Sequence, residues 1–152
     1  MSASEAGPAA ADGGTATERE AVDRLIDEHF RAEEAEDVDA IAATFTDDAQ
    51  HDGDGTMVLF GREAIANFYR DLYRVVGQHR FTTVRRLYGP GLVIDESEVT
   101  AIAHGAPFGL PVEGGGRSFT FRLLHVFELR DGLISREQAW FDTKTIERQL
   151  SN

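Results

Sequence analysis

The sequence predicts an α+β domain in which N-terminal helices pack on one face of an antiparallel sheet. Two observations support this class. Apolar residues recur at helical spacing before Gly77 and alternate with polar residues after it. Helices that come first, followed by a meander of strands, are typical of α+β rather than of alternating βαβ units. The length of 152 residues, 41% of them hydrophobic, fits one domain with a sizeable core.

The domain begins after a short N-terminal tail. Residues 1–16 are rich in Ala, Gly, Ser and Pro without periodicity, so we expect a disordered tail there and a single domain over residues 17–152. Thr17 and Glu20 form a capping-box pattern that starts the first helix. One face of that helix holds Val22, Leu25, Ile26, His29, Phe30 and Glu33, of which only His29 and Glu33 are not apolar.

The remaining elements follow in the order that the class requires. Asp37 caps a second, short helix, a strand lies within residues 48–60, and a third helix follows Gly61. Period-two alternation then predicts four long strands, at residues 80–88, 92–104, 117–130 and 133–142. The chain ends in a short amphipathic segment, "TKTIERQL".

The acidity of the chain excludes two classes of partner. Its formal net charge is −12, whereas binding to nucleic acid or to an anionic membrane surface depends on basic residues. The absence of cysteine excludes disulfides, thiolate metal sites and cysteine nucleophiles. The N-terminus lacks the features of a signal peptide, and no apolar run approaches the roughly 20 residues that span a bilayer. We therefore expect a cytoplasmic protein that binds neither nucleic acid nor membrane.

The stretch "SFTFRLLHVFEL" places a histidine on the buried face of a strand. On alternation, His125 shares its face with Phe119, Phe121, Leu123 and Phe127. Burial favours the neutral imidazole, in which one ring nitrogen donates and the other accepts a hydrogen bond. Two interpretations remain open: a site residue, or a core histidine satisfied by a backbone carbonyl.

A carboxylate on the next strand is placed to meet this histidine. The Asp131-Gly132 pair closes a tight turn, so the strands on either side of it pair. Ser135, Glu137, Ala139 and Phe141 share one face of the second strand. If that face lines a cavity, Glu137 either orients the His125 ring or acts as a base. The alternative is a solvated side chain at an open rim.

The opposite face of the same strands carries apolar residues that need cover. Leu124 and Val126 lie opposite to His125 in the alternation, and Ile134 and Trp140 lie opposite to Glu137. A second copy of the chain is the simplest cover for such a face, so we expect a homodimer through the outer face of the sheet.

Four segments together resemble a known family. They are "AEDVDAIAATFTDDA", "GREAIANFY", "HGAPFGLP" and "HVFELRDGLISREQAWFD". Their order and spacing are similar to those of the nuclear transport factor 2-like superfamily, nearest to the SnoaL-like polyketide cyclases, with ketosteroid isomerases as cousins. The resemblance covers roughly residues 18–150. It implies a cone-shaped, strongly curved sheet wrapped around the helices, a deep pocket for a small apolar molecule, and dimers formed through the sheet.

The resemblance also implies roles for individual residues, and the sequence departs from several of them. It makes His125 a pocket histidine, in a place where the isomerases hold a protonated aspartic acid. Ala139 stands where the cyclases carry an aspartate, and alanine transfers no proton. Phe30 stands where the isomerases have an oxyanion tyrosine, so it lacks the hydroxyl. Their catalytic base falls near Gly53 or Asp54.

The other polar candidates are histidines and acids of the first half and the middle of the chain. In "AQHDGDG", relatives place polar groups of the pocket mouth where His51 and Asp52 stand, although a polar turn explains Asp52 and Asp54 as well. His29 faces either the pocket or the core. His104 precedes the segment that resembles a lid over the cavity, and His79, at the start of a strand, is expected to be exposed.

No cofactor and no metal are expected. No two histidines have the i, i+4 or His-x-His spacing that is typical of metal sites. The glycines of "EGGGR" join two strands and precede no helix, so they do not form a phosphate-binding loop.

These observations together predict a cofactor-independent enzyme that transfers protons on an apolar, carbonyl-bearing molecule, as in cyclisation, isomerisation or dehydration. His125 would be the hydrogen-bond donor or acid/base, and Glu137, His51 or Asp54 the second proton-transfer group. The residues expected to contact the substrate are Phe30, His29, Phe121, Phe127, Ala139, Phe141 and His104. Two alternatives stay open: a ligand-binding dimer without catalysis, and a water-activating hydrolase of the epoxide hydrolase type.

Overall fold

The computed structural model describes residues 14–53 and 57–151. Its helices are α1 (Ala16–Glu34), α2 (Val38–Ala43), α3 (Arg62–Val75) and α4 (Thr143–Leu150). Its strands are β1 (Phe45–Gly53), β2 (Met57–Phe60), β3 (Val76–Gly89), β4 (Leu92–Ala103), β5 (Arg117–Arg130) and β6 (Leu133–Phe141), and a short 3-10 turn, Pro107–Gly109, lies between β4 and β5. The predicted α+β class is confirmed, with helices first and a strand meander afterwards.

The first helix starts earlier than the sequence pattern predicted. Thr15, not Thr17, is the N-cap: its Oγ1 accepts from the Glu18 backbone N–H at 3.2 Å, and Glu18 Oε2 accepts from the Thr15 N–H at 2.6 Å. The threonine–glutamate spacing occurs twice in this segment, and the earlier cap adds residues to a helix already nucleated. Ala16 therefore belongs to the helix, and the tail prediction for residues 1–13 lies outside the described residues.

Residues 49–53 of "AQHDGDG" lie in β1. β1 and β2 pair antiparallel, so the single strand predicted within residues 48–60 is two strands. Asp52 is not in a turn but is buried in β1, because the Arg136 guanidinium reaches it from β6 with Nε at 3.0 Å from Oδ2. Asp54 lies outside the described residues.

The six strands form one sheet in the order β2-β1-β6-β5-β4-β3. The expected antiparallel pairing holds for four of the five pairs, but β1 and β6 run parallel. The β3–β4 and β5–β6 connections are two-residue turns, which join antiparallel neighbours, and a longer loop with the 3-10 turn joins β4 to β5. No turn fixes the direction of β1 against β6, since the two are far apart in the chain. β3 also begins at Val76, four residues before its predicted start.

Two connections in the meander depend on backbone geometry. Asp131 (φ 55°) and Gly132 (φ 74°) form the two-residue turn predicted between β5 and β6. Before β5, Gly114 packs so closely on β4 that a Cβ there would lie 2.3 Å from the Ala103 carbonyl oxygen. Gly114 of "EGGGR" thus serves close packing, whereas Gly115 (φ 62°) and Gly116 (φ 79°) supply the left-handed backbone of the turn.

The concave face of the sheet carries His125, as predicted. Buried residues alternate along β5, and Phe119, Phe121, Leu123, His125 and Phe127 are all buried. Ile134 is a correction: it was expected on the outer face but is fully buried in the core. A register shift between Glu128 and Leu129 changes the alternation at the start of β6, so both Ile134 and Glu137 point inward.

Two hydrophobic clusters hold the helices against the concave face. The first contains residues of α1 and α3, such as Ile26, Ile65 and Tyr69, packed on Val93 and Phe127 of the sheet. The second joins β3–β5 to α4 and includes Val76, Val99, Phe119, Ile146 and Leu150. None of the helices in the described part of the chain is long and apolar enough to cross a membrane.

Candidate active site

A cavity of about 320 Å³ lies between the concave face of the sheet and the helices, and both hydrophobic clusters contribute to its walls. The apolar part of its lining is largely aromatic and contains Phe68, Phe81, Phe108, Phe121 and Phe141. The titratable residues of the lining are Glu33, His51, Tyr69, His79, His125 and Glu137. A cavity with an apolar body and a few convergent polar groups is the usual form of a small-molecule site.

Glu137 lies at the centre of the titratable residues that line the cavity. Its side chain is 1% exposed, and three histidines surround its carboxylate. The distances from their Nε2 atoms to the nearer oxygen are 3.3 Å for His125, 3.7 Å for His29 and 3.8 Å for His51. The prediction that Glu137 meets His125 is therefore confirmed, and the alternative of a solvated rim residue is wrong.

The sheet register brings His125 and Glu137 together. In the pairing of β5 with β6, His125 lies opposite Ala139 and Glu137 lies opposite Phe127, so the two side chains are diagonal neighbours on one face. The His125 ring stacks on Phe127, with 5.0 Å between ring centroids, and lies 5.4 Å from Phe30. Packing on two aromatic rings holds the imidazole in place beside the carboxylate.

The parallel pairing of β1 places the second histidine. His51 lies directly beside Glu137 in the β1–β6 register. Its ring contacts Phe68 of α3, with 4.8 Å between centroids, and is almost completely buried. His51 therefore lines the cavity beside Glu137, through a strand pairing that alternation does not reveal.

A third group of residues lies behind Glu137 on the helices. His29 is fully buried, with Nδ1 at 2.9 Å from Thr44 Oγ1 and Nε2 at 2.9 Å from Glu33 Oε1. The Tyr69 hydroxyl lies 3.4 Å from Glu33 Oε1 and 3.5 Å from Glu137 Oε2. Tyr69 thus links the two carboxylates of the cavity wall.

The environment changes the pKa of several of these groups. Burial by itself would raise the pKa of Glu137, but the charges of His51, His125 and His29 and a hydrogen bond from His125 lower it to about 2. Burial and the nearby charges of Glu137 and Glu33 raise the pKa of Tyr69, which stays a neutral hydroxyl. Burial lowers the pKa of His79 and favours its neutral form.

The predicted site residues separate into three groups. The cavity wall includes His125, Glu137, His51, Phe121, Ala139 and Phe141. Phe30, Phe127 and His29 do not reach the cavity but lie behind its wall, where Phe30 and Phe127 pack against the His125 ring. His104 is exposed just after the end of β4 and does not line the cavity, although its backbone N–H donates to the Val75 carbonyl.

Three titratable residues of the cavity lining, Glu33, Tyr69 and His79, were not predicted as part of the site. The position of Glu33, an acid on the apolar face of α1, indicates a buried polar role that could have been predicted from the sequence. Tyr69 falls at the helical spacing of the apolar residues Ile65, Phe68 and Leu72, and this pattern gives no sign of a role for its hydroxyl. His79 was expected to be exposed but is buried, since β3 starts four residues before the predicted strand and carries it into the cavity wall.

Among the described residues, only His29, Glu33 and Glu137 combine ligand-type atoms at a spacing that suits a metal ion, within 4.8 Å of one another. Tyr69 connects the same two carboxylates, and His29 and His125 offer them charge. A proton shared within this group offers the two carboxylates a positive partner, as a metal ion would.

Comparison with known proteins places this arrangement in a family. The family model described as SnoaL-like domain matches residues 26–137, which include His29, Glu33, Tyr69, His125 and Glu137. A search of curated protein sequences gives no significant match.

Solved structures support the same fold. A candidate polyketide cyclase from Xanthomonas campestris superposes with a TM-score of 0.74 at 21% identity, over 88% of this chain and 96% of that one. An epoxide hydrolase from M. tuberculosis gives 0.69 at 22%, over 88% and 90%. A protein from Catenulispora acidiphila with a ketosteroid isomerase-like fold gives 0.71 at 15%, over 84% and 92%. At these identities the likeness is one of fold, and function depends on the site.

Proposed function

The chain belongs to the SnoaL-like domain family, and from this premise we propose that it is an enzyme that transfers protons on a small, apolar, carbonyl-bearing molecule, without a cofactor. The reaction class is that of a cyclase, isomerase or dehydratase. One observation carries the proposal: His125 Nε2 lies 3.3 Å from Glu137 Oε1, and both residues line a largely aromatic cavity. Two titratable groups that converge beside an empty cavity are the minimum for acid–base catalysis.

The two partners have different roles in this reaction. A carboxylate whose pKa is about 2 stays ionised at neutral pH and is a weak base by itself. Glu137 contributes through its negative charge, which orients the His125 ring and stabilises the imidazolium that forms when the ring takes a proton. His125 is therefore the acid/base that exchanges the proton with substrate, as the orienting carboxylate of a catalytic triad implies by analogy.

The walls of the cavity define the substrate class. The phenylalanines of the lining suit an apolar ring system. The histidine N–H groups and the Tyr69 hydroxyl of the lining can donate a hydrogen bond to one carbonyl oxygen. None of the described residues that line the cavity is lysine or arginine, and Glu33 and Glu137 are both acidic. We therefore expect neutral substrates, since an anionic ligand would be repelled by the buried carboxylates.

Hydrogen–deuterium exchange tests the proposal without knowledge of the natural substrate. A panel of cyclic and aromatic ketones is incubated with the protein in D₂O, and NMR measures deuterium at the carbon beside the carbonyl. We expect exchange with at least one ketone, and loss of that exchange in His125→Ala. His104→Ala is the matched control, because His104 is an exposed histidine outside the cavity. Unchanged exchange in His125→Ala would remove His125 from the mechanism.

A second candidate, a water-activating hydrolase, is favoured by Glu33. Such a reaction needs two carboxylates around a water, and Glu33 and Glu137 both contact the Tyr69 hydroxyl at the cavity wall. One structural relative is an epoxide hydrolase. Incubation with apolar epoxides in H₂¹⁸O, followed by mass spectrometry, separates the two candidates, because only the hydrolase forms a labelled diol. A ketone that binds without exchange or hydrolysis would instead favour the non-catalytic ligand-binding dimer.

A homodimer formed through the outer face of the sheet is part of the proposal. Leu124 and Trp140 lie directly opposite each other in the β5–β6 register and are 36% and 45% exposed. Together they form an apolar patch on the face away from the helices, which a second copy would cover. We expect a dimer in light scattering after gel filtration and a shift toward monomer in Trp140→Arg. An unshifted dimer in that variant would place the interface elsewhere.

A further inference from the structure

Thr44 determines which nitrogen of the His29 ring carries a hydrogen. The Thr44 hydroxyl lies 2.6 Å from the Ile41 carbonyl oxygen and donates its single hydrogen there. The same Oγ1 lies 2.9 Å from His29 Nδ1, so it accepts from that nitrogen. Nδ1 of His29 is therefore an N–H in both the neutral and the charged ring, and only the state of Nε2 remains to be decided.

Nε2 of His29 faces two carboxylates. Glu33 Oε1 lies 2.9 Å away and Glu137 Oε2 lies 3.7 Å away. Neither contact is aligned as a hydrogen bond in the described part of the structure, so charge decides whether the contacts attract or repel. A neutral ring would direct its lone pair at two anionic oxygens in a site shielded from water, where such repulsion is strong. A protonated ring turns both contacts into attractions.

The surroundings contain few other charges that could take this role. The cavity lining includes neither lysine nor arginine among the described residues. The titratable and charged groups that face His29 and Glu33 are His51 from β1, Tyr69 and Tyr73 from α3, His79 from β3, His125 from β5 and Glu137 from β6. Both tyrosines have a raised pKa and stay neutral. Within this set only the histidines can carry positive charge.

We propose that His29 is a buried cation at neutral pH, that Glu33 keeps the proton on its ring, and that this charge positions Glu137 and keeps it ionised behind the cavity wall. His29 is then a positioning residue, since it touches Glu137 but not the cavity. The consequence for catalysis rests on the proposed function, whereas the charge of the ring does not. Burial alone would lower the pKa of His29, but the contact with Glu33 and the charges of Glu137 and Glu33 raise it, in agreement with the geometry.

NMR of the wild-type protein tests the charge directly. Long-range ¹H–¹⁵N correlation spectra distinguish a doubly protonated ring from either neutral tautomer as the pH is raised. His104 is the internal reference because it is exposed. We expect His29 to keep both ring hydrogens above pH 6.5, the ordinary pKa of a histidine side chain. A His29 ring that is neutral at neutral pH would overturn the proposal, and so would one tightly bound divalent metal per chain in elemental analysis.

Two variants show whether Glu33 in particular, and not the overall negative charge of α1, keeps the proton on His29. Glu33→Gln keeps the shape of the side chain but removes its charge, so we expect the proton affinity of His29 to fall at least about tenfold, one pKa unit. Glu28→Gln makes the same change at an exposed position of the same helix and should leave His29 unchanged. An unaltered His29 titration in Glu33→Gln would overturn the proposal, and the wild-type spectrum remains decisive if that variant does not fold.

The NMR result and the proposed function can fail separately. A charged His29 in a protein without ketone exchange would sink the proposed function alone. Exchange that depends on His125, in a protein whose His29 is neutral, would sink this inference alone.

Discussion

Two buried polar clusters lie on the same concave face, and they differ in how completely their groups are paired. The first is centred on Arg86 of β3. Its Nε lies 2.9 Å from Asp95 Oδ2, and its terminal nitrogens lie 2.7 Å from Asp23 and 3.0 Å from Asp27 of α1. Thr83 and Ser97 also donate to Asp95, which is fully buried. Each charge in this cluster has close, directed partners.

The second cluster, around Glu137, is incompletely paired. Its contacts from the three histidines are 3.3–3.8 Å long. Within the described residues, Nδ1 of His51, His79 and His125 is buried without a hydrogen-bond partner. Orphaned buried polar atoms are rare in native proteins and call for an explanation. All three rings line the cavity, so a molecule bound there can reach them.

The difference separates structure from function. A saturated ion network stabilises one arrangement, in this case the docking of α1 on β3 and β4, and has little left to offer a ligand. An unsaturated network of groups with shifted pKa values, set beside a cavity, is typical of a reactive site. We therefore expect changes in the Arg86 cluster to affect mainly stability, and changes in the Glu137 cluster to affect mainly activity.

The largest expected effect is on activity, in Glu137→Gln. The amide keeps the shape of the side chain but cannot stabilise a charged His125, so ketone exchange should fall about 10²–10⁴-fold. Urea unfolding should show a loss of about 1–3 kcal/mol, because the buried histidines lose one opposite charge while Glu33 still faces His29. A Glu137→Gln variant that retains activity but unfolds easily would show that the Glu137 cluster is structural.

Arg86→Leu should give the opposite result. Removal of the guanidinium leaves Asp95 buried and unpaired, so the free energy of unfolding should fall by about 3–5 kcal/mol. Arg85→Leu is the control, because Arg85 is exposed and makes only a 3.5 Å contact with Glu96; it should change stability by less than about 1 kcal/mol. Urea denaturation of both variants measures the difference. Similar losses in the two would remove the structural role of the Arg86 cluster.

The pH dependence of stability should report the Glu137 cluster. The pKa of Glu137 falls from 4.5 to about 2 on folding, so its contribution is present above pH 4.5 and lost as pH falls toward 2. The pKa of His29 is raised above 6.5, so its contribution is present below pH 6.5 and lost as pH rises through the folded value. The combined effect is on the order of 1–3 kcal/mol.

Urea midpoints measured across this pH range, for wild type and for Glu137→Gln, isolate that contribution. The difference between the two curves should be largest between pH 4.5 and 6.5 and should shrink on both sides. A difference that is constant with pH would show that the Glu137 cluster is not charged as described.

The smallest expected effect comes from Thr44→Val. This change removes the acceptor of the His29 Nδ1 hydrogen and keeps the branched shape, so it should cost about 1–2 kcal/mol in stability. The His29 ring would also lose what fixes its orientation, and NMR should show a weaker preference for the doubly protonated form. Circular dichroism during urea unfolding gives the first effect. An unchanged His29 spectrum would make Thr44 irrelevant to the ring.

Much of the fold, but only part of the site, could be predicted from the sequence. The alternation around His125 and the Asp131-Gly132 turn are local, and both gave the correct face and the correct partner strand. The same reasoning failed at Ile134, because a register shift in β6 changes the alternation there. Glu33 was visible as an acid on an apolar helix face but was not assigned to the site.

The sequence by itself determined the order of the elements, the α+β class and the inward direction of His125, because helical and strand periodicity arise from contacts between near neighbours in the chain. Only the tertiary structure decided that His29 from α1, His51 from β1 and His125 from β5 surround one carboxylate on β6. The charge of such a group depends on distances of a few ångströms between residues remote in sequence and on the exclusion of water around them. Neither quantity exists until the helices and the parallel edge strand have packed against the sheet.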